Sequence, residues 1–132
     1  MNILYKSDVI PSTEQIIELY NDAPLTRPTN DSLRIKKMYE QSNLVITAWN
    51  ENELIGVARS LTDFCYACYL SDLAVKKPYQ KLGIGRELIS LTKKEIGDQS
   101  MLLLLSVETA LAYYPKIGMH KVENGFIINR LA

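Results

Sequence analysis

Apolar and polar positions along this chain change period several times, and each change marks an element. Ile3 to Lys6 predicts a short first strand. Ile16, Ile17, Leu19 and Tyr20 then recur at helical spacing behind Pro11-Ser12-Thr13-Glu14-Gln15. Ser12 or Thr13 suits a helix cap, and Gln15 stands three after Ser12, as in a capping box. This helix is expected to end between Asn21 and Pro24, with Thr26 to Pro28 in a loop. Asn30-Asp31-Ser32 marks a second helix start. Its apolar face would be Leu33, Ile35, Met38 and Tyr39, with Arg34, Lys36 and Lys37 exposed. Leu44 to Trp49 and Leu54 to Leu61 are rich in strand formers and flank the polar turn Asn50-Glu51-Asn52-Glu53, so the pair predicts a hairpin. After the turn at Thr62-Asp63, Phe64 to Val75 predicts a third, longer strand.

The second half alternates strand and helix. Ile84, Leu88, Ile89, Leu91 and Ile96 line one side of a helix from Gly85 to Ile96, and Gly97 stands where a left-handed cap belongs. Met101 to Val107 is nearly continuous leucine, the pattern of a strand buried on both faces. A helix between two strands predicts parallel neighbours joined by a right-handed crossover. Ala110 to Ile117 predicts a short helix ended by Gly118, with Pro115 tolerated only near a start or at a kink. Val122 can begin a strand before the Asn124-Gly125 turn, and Phe126 to Leu131 predicts a last one. The fold class is α/β (α+β). A mixed central sheet has antiparallel N-terminal strands and a parallel β-α-β pair, flanked by helices, in one domain over residues 1–132.

Composition narrows the functional classes. Fifteen basic and fifteen acidic residues give a formal net charge of +0, so bulk charge directs the chain to neither nucleic acid nor a membrane surface. No apolar run approaches the length of a membrane span. Met1-Asn2-Ile3-Leu4-Tyr5-Lys6 does not resemble a signal peptide, and a cytoplasmic protein is expected. Cys65 and Cys68 form a C-x-x-C, but residues three apart on a strand point to opposite faces. They are expected to be structural, and no metal is expected.

The candidate chemistry lies between the third strand and the long helix, at Gln80-Lys81-Leu82-Gly83-Ile84-Gly85-Arg86. Closely spaced glycines let backbone approach a ligand. The first N–H groups of the helix have no intrahelical partner, and its dipole favours an anion there. Together these describe a phosphate-holding loop. The P-loop pattern is absent, and the dinucleotide pattern fails because its third glycine would be Leu88.

Gln80-x-x-Gly83-x-Gly85 resembles the acyl-CoA pyrophosphate loop, Q/R-x-x-G-x-G/A, of the GNAT superfamily of N-acetyltransferases. Ala110-Leu111-Ala112-Tyr113-Tyr114-Pro115-Lys116-Ile117-Gly118-Met119 resembles that family's A-x-x-[FLY]-Y-x-K-[LI]-G-[FM] segment. The order of elements matches too, and the likeness is most specific over residues 53 to 119.

The resemblance implies an acetyl-CoA-dependent N-acetyltransferase. A bound amine, on a small molecule or a peptide, would attack the thioester directly in a ternary complex. It also implies site residues. The backbone of Leu73, Ala74 and Val75 would bind the pantetheine amides like an added strand. The N–H groups from Lys81 to Arg86 would hold the pyrophosphate, with charge from Lys81 and Arg86. Tyr114 would protonate the departing thiolate, a phenol of pKa about 10 facing a thiol of about 8.5. Tyr113 is expected to pack on the sheet.

The acceptor amine arrives protonated, and a carboxylate can take its proton. Asp72 is the first candidate, with Asp63, Glu108 or solvent water as the other choices. Two positions depart from the family pattern. Val107 stands where many members have asparagine, and Tyr69 where the family's glutamate base would be. Arg59, inside a strand pattern, is expected to pair with Asp63 or Asp72. An alternative reading is a non-catalytic acyl-CoA-binding sensor or interaction module. A homodimer is compatible with the resemblance, and nothing in the sequence marks its interface.

Overall fold

A computed structural model describes residues 2–132. The strands are β1 (Ile3–Lys6), β2 (Leu44–Asn50), β3 (Glu53–Thr62), β4 (Ala67–Val75) and β5 (Met101–Leu103). They form one sheet in the order β1-β2-β3-β4-β5. The pairs from β1 to β4 are antiparallel, and β4 pairs with β5 in parallel. The helices are α1 (Thr13–Asp22), α2 (Ser32–Glu40), α3 (Ile84–Ile96) and α4 (Tyr113–Lys116). The mixed sheet, the parallel β4-α3-β5 unit and the flanking helices are those the sequence pattern predicts.

Local chemistry explains the helices. Ser12 caps α1, and the reciprocal Ser12–Gln15 bonds of a capping box are both present. Asp31 caps α2 through the Arg34 N–H. Helices α1 and α2 cover one face of the sheet, packing Ile16, Leu19, Tyr20, Ile35 and Tyr39 onto Val45, Trp49, Leu54, Val57 and Ala74. Helix α3 covers the other face, packing Ile84, Leu88, Ile89 and Ile96 onto Leu44, Ile46, Ala58, Cys68 and Leu70. Gly56 makes the α3 contact close. A Cβ there would lie 3.2 Å from Leu88 Cδ1, 3.3 Å from Ile84 Cγ2 and 3.4 Å from the Ala74 carbonyl oxygen.

Several expectations are corrected. Strand β4 starts at Ala67, not Phe64, because Asp63 Oδ1 accepts the N–H groups of Cys65, Tyr66 and Ala67 and closes a tight turn. Cys65 is therefore exposed in that turn, while Cys68 is buried in the core. Leu33 is 78% exposed and lies off the apolar face of α2. Strand β5 spans only Met101–Leu103 and is an edge strand, so the leucine run is not buried on both faces; Leu105 is 64% exposed. The segment 110–117 divides into a 3-10 turn at Glu108–Ala110 and the four-residue α4. Starting at Tyr113 puts Pro115 in the first turn, where no N–H donor is required. Phe126 to Leu131 forms no strand.

Candidate active site

The site begins where β4 and β5 part. Their pairing stops at Tyr69 opposite Leu103, whereas β4 continues to Val75. From Leu70 onward β4 has a hydrogen-bonded neighbour, β3, on one side only. A bulge occurs at the same place. Arg59 pairs with Asp72 and Ser60 with Leu70, which leaves Ser71 as an extra residue. The bulge inverts the facing of the strand. Cys68 and Leu70 pack towards α3, but Asp72 and Ala74 face α1 and α2. Leu73 and Val75 consequently pack on the α3 side.

Beyond β4 the chain makes a 3-10 turn, Lys77–Tyr79, moored on both sides. The Lys77 N–H donates to Asp22 Oδ2 (2.7 Å), and the Tyr79 hydroxyl donates to Glu53 Oε1 (3.0 Å). The glycine loop follows. Gln80 turns back, its Nε2 donating to the Val75 carbonyl at 2.9 Å, and so ties the loop to the end of β4. Lys81 takes a left-handed conformation (φ 66), an uncommon one for a side-chain-bearing residue. Gly83 is the N-cap of α3 at φ 83 and offers no side-chain cap. The first helical bond is from the Glu87 N–H to the Gly83 carbonyl. The N–H groups of Ile84, Gly85 and Arg86 therefore remain as free donors beside exposed Leu82.

Tyr113 reaches this loop. Its hydroxyl lies 3.2 Å from where a Cβ on Gly85 would sit, and Val75 Cγ2 lies 3.9 Å from the same point. The end of β4, the first turn of α3 and α4 thus converge. The sequence reading gave Tyr113 a packing role only, because a tyrosine pair in a short helix does not show which ring turns outward. Tyr114 stands edge-on to Tyr113, 5.2 Å between ring centroids, and packs half-buried against the core under α3. Burial raises the pKa of both phenols; the charge of Arg86 partly opposes this at Tyr113, and Tyr113 adds to it at Tyr114.

Asp72 lies on the other face of β4 and has no exposed surface. Its Oδ1 accepts Arg27 Nε and its Oδ2 accepts Arg59 Nε, both at 2.6 Å. The Tyr20 hydroxyl donates to Oδ2 at 2.6 Å, and the Tyr39 hydroxyl lies 2.5 Å behind it. Burial by itself would raise the pKa of Asp72, but the hydrogen bond and charge of Arg59, then Tyr20 and Arg27, bring it below its ordinary value. The two arginines also grip the bulge: Arg27 Nη2 donates to the Ser71 carbonyl (2.7 Å) and Arg59 Nη2 to Ser71 Oγ (2.9 Å). The sequence pattern leaves Arg27, Tyr20 and Tyr39 unconnected to the site. The only local signal is Arg59 itself, a cation in an apolar strand. Asp63 is held at about 2 by the backbone N–H groups of its turn.

The chain matches the family model for the acetyltransferase (GNAT) domain over residues 14–131. A curated relative, an uncharacterised N-acetyltransferase of Prochlorococcus marinus described as ycf52-like, is 28% identical over 91 residues. That alignment covers 64% of this chain and 51% of the relative, so the chain spans about half of that protein's length. Among solved structures, a protein of unknown function from meticillin-resistant Staphylococcus aureus, described as a probable acetyltransferase, shares the fold with a TM-score of 0.83. It is 23% identical, with 98% of this chain and 100% of that one covered. The aminoglycoside N-acetyltransferase AAC(6')-Iy, bound to the bisubstrate analogue CoA-S-monomethyl-acetylneamine, has a TM-score of 0.74. It is 12% identical, with 100% of each chain covered. With the family model matched from α1 almost to the C-terminus, the chain belongs to the GNAT acetyltransferase family.

Proposed function

We propose that this protein transfers the acetyl group of acetyl-CoA to a primary amine, by direct attack within a ternary complex. The observation that carries the reading is the parting of β4 from β5 beside an uncapped helix N-terminus. The exposed edge of β4 at Leu73, Ala74 and Val75 suits the amides of a pantetheine arm, which hydrogen-bond as a strand does. The free N–H groups at the start of α3 suit a pyrophosphate, with Lys81 and Arg86 adding positive charge. The relative AAC(6')-Iy binds a CoA-derived bisubstrate analogue on the same fold.

In the proposed reaction the amine nitrogen bonds to the thioester carbonyl carbon. The backbone N–H near Leu73 polarises the carbonyl oxygen. The carbon–sulfur bond then breaks, and the sulfur takes the Tyr114 proton. The acceptor ammonium gives one proton to water before the attack, and the nitrogen gives a second through water as the amide forms, which restores the Tyr114 phenol. Asp72 is a positioning residue in this scheme, since its carboxylate is buried and engaged by two arginines and a tyrosine. Through Arg27 and Arg59 it fixes the Ser71 bulge and hence the mouth of the gap.

Calorimetric titration with acetyl-CoA, with ATP and NAD as controls, tests the binding step. Selective micromolar binding is expected, followed by amine-dependent release of CoA across a panel of primary amines. A folded sample that binds acetyl-CoA no better than ATP would refute the assignment.

A further inference from the structure

Helices α1 and α2 leave part of their face of the sheet open. Arg59 of β3 points to that face, its guanidinium 5.8 Å from the Tyr39 ring of α2. Leu61, two residues on, shares the face. Leu61 pairs with Tyr69 of β4, and Tyr69 pairs with Leu103 of β5. Their chain neighbours Cys68, Leu70, Leu102 and Leu104 pack on the α3 side instead. Leu61, Tyr69 and Leu103 therefore form one apolar row across three strands, beyond the cover of the helices. Leu61 is 42% exposed and Tyr69 38%.

Arg27 borders this row. Asp72 and the Ser71 carbonyl hold its guanidinium over β4, two residues beyond Tyr69. A guanidinium has five N–H donors. Three are engaged, by Asp72 Oδ1, the Thr26 carbonyl and the Ser71 carbonyl, which leaves two without a partner among the described residues. Charge is unbalanced as well. Arg27 and Arg59 share the single carboxylate of Asp72, so one positive charge is in excess. Arg59 is buried, and the partly exposed Arg27 presents that charge to solvent. Asp63 lies on the other side of the row, in a turn where its Oδ1 accepts three backbone N–H groups.

We propose that the acceptor is an α-amino acid with an apolar side chain. This rests on the transferase reading and adds the substrate class to it. Tyr114 packs on the α3 side of the sheet, so the thiolate leaves on that side and the α1–α2 side is open to the amine. The carboxylate of the acceptor takes the two free N–H groups of Arg27 as a charge-assisted pair. Its side chain lies on Leu61, Tyr69 and Leu103. Ser71, which Arg27 grips, precedes Leu73 by two residues, about 7 Å of strand. The amine and carboxylate of an α-amino acid share one carbon, so one molecule reaches from Arg27 to a carbonyl held at Leu73. The acetyl group passes to the α-amine by the steps given above, and the products are an N-acetylamino acid and CoA. The same excess charge disfavours polyamines and other polycationic acceptors.

Rates of CoA release with L-phenylalanine, L-phenylalaninamide, 2-phenylethylamine and spermidine test this, alongside acetyl-CoA titration of the same sample. L-Phenylalanine should exceed each of the others in kcat/KM by about 10-fold or more, the worth of a hydrogen bond to a charged group. The amide is the stringent comparison. It keeps the ring, and its α-amine, with a pKa of about 8 against about 10.4 for an alkylamine, is readily deprotonated. Arg27→Gln should lower the ratio of acid to amide by about 10-fold. Both rates come from one sample, so partial loss of folded protein does not move the ratio. Leu61→Asp should lower kcat/KM for L-phenylalanine relative to glycine and leave acetyl-CoA affinity unchanged. If Arg27→Gln does not fold, the wild-type ratios decide. An amide, 2-phenylethylamine or spermidine used as well as the amino acid would overturn the proposal and leave the transferase reading in place. So would an acid-to-amide ratio that Arg27→Gln does not change. No acetyl-CoA binding, or binding without CoA release to any of these amines or to glycine, would overturn the transferase reading and the proposal with it.

Discussion

Replacing Asp72 with asparagine removes a charge and almost no volume, so it separates the two roles a carboxylate at this position can have. Asp72 is buried, as is the Arg59 side chain at 8% exposure; that of Arg27 is 26% exposed. Removing one partner of a buried, hydrogen-bonded ion pair costs about 3–5 kcal/mol. Arg27 can recover part of its loss from water, but Arg59 cannot. An asparagine NH2 would also oppose donors that now point at an oxygen. Urea unfolding measures the effect. With a slope of roughly 2 kcal/mol/M for a domain of this size, the midpoint should fall by about 1.5–2.5 M. The positioning role further predicts that Tyr20→Phe and Asp72→Asn are not additive, because they share one bond. A variant with an unchanged midpoint but a collapsed kcat would refute the reasoning and restore Asp72 as the base.

The same network sets an acid limit. The folded-state pKa of Asp72 is depressed, so its contribution is present above the unfolded value of about 3.9 and is lost as pH falls through the folded value. Unfolding by acid should therefore begin below about pH 4, and Asp72→Asn should be less sensitive to pH there than the wild type.

Three further outcomes are expected. Tyr114→Phe should lower kcat by about 100-fold or more while the KM for acetyl-CoA stays within a few-fold, as for loss of a general acid; because burial raises its pKa, wild-type kcat should show no alkaline loss from this group below about pH 10. Full kcat in the phenylalanine variant would remove the acid role. Gly83→Ala should cost about 1–2 kcal/mol from φ 83 alone, since no atom lies within 4 Å of its Cβ. Gly125→Ala, equally open and without a positive φ, is the control; equal melting temperatures would contradict the backbone argument. Gly56→Ala should cost about 1–3 kcal/mol by pressing Leu88 and Ile84 from β3, and an unchanged urea midpoint would show that α3 is free to shift.

What was legible in the sequence was what depends on neighbours in the chain. Ser12 with Gln15 and Asp31 with Arg34 are caps whose partners lie within three residues. The β2–β3 hairpin and the glycine loop are local in the same sense. The surroundings of Asp72 are not, since Tyr20 and Arg27 precede it by 52 and 45 residues. Its facing was not legible either. A period of two puts Asp72 beside Leu70, and only the extra residue at Ser71 turns the two to opposite faces.

The C-terminal segment differs in a more instructive way. Phe126 to Leu131 has the composition of a strand, and Met101 to Val107 that of a strand buried on both sides, yet the first is unpaired and the second stops at Leu103. A strand exists only with a partner for its hydrogen bonds, and propensity supplies none. The segment ends at α2, where Arg34 Nη2 donates to the Ala132 carbonyl, and the pairing of β4 with β5 stops at Leu103. The segment reads as a strand in the sequence because composition is local, whereas the partner a strand needs is not.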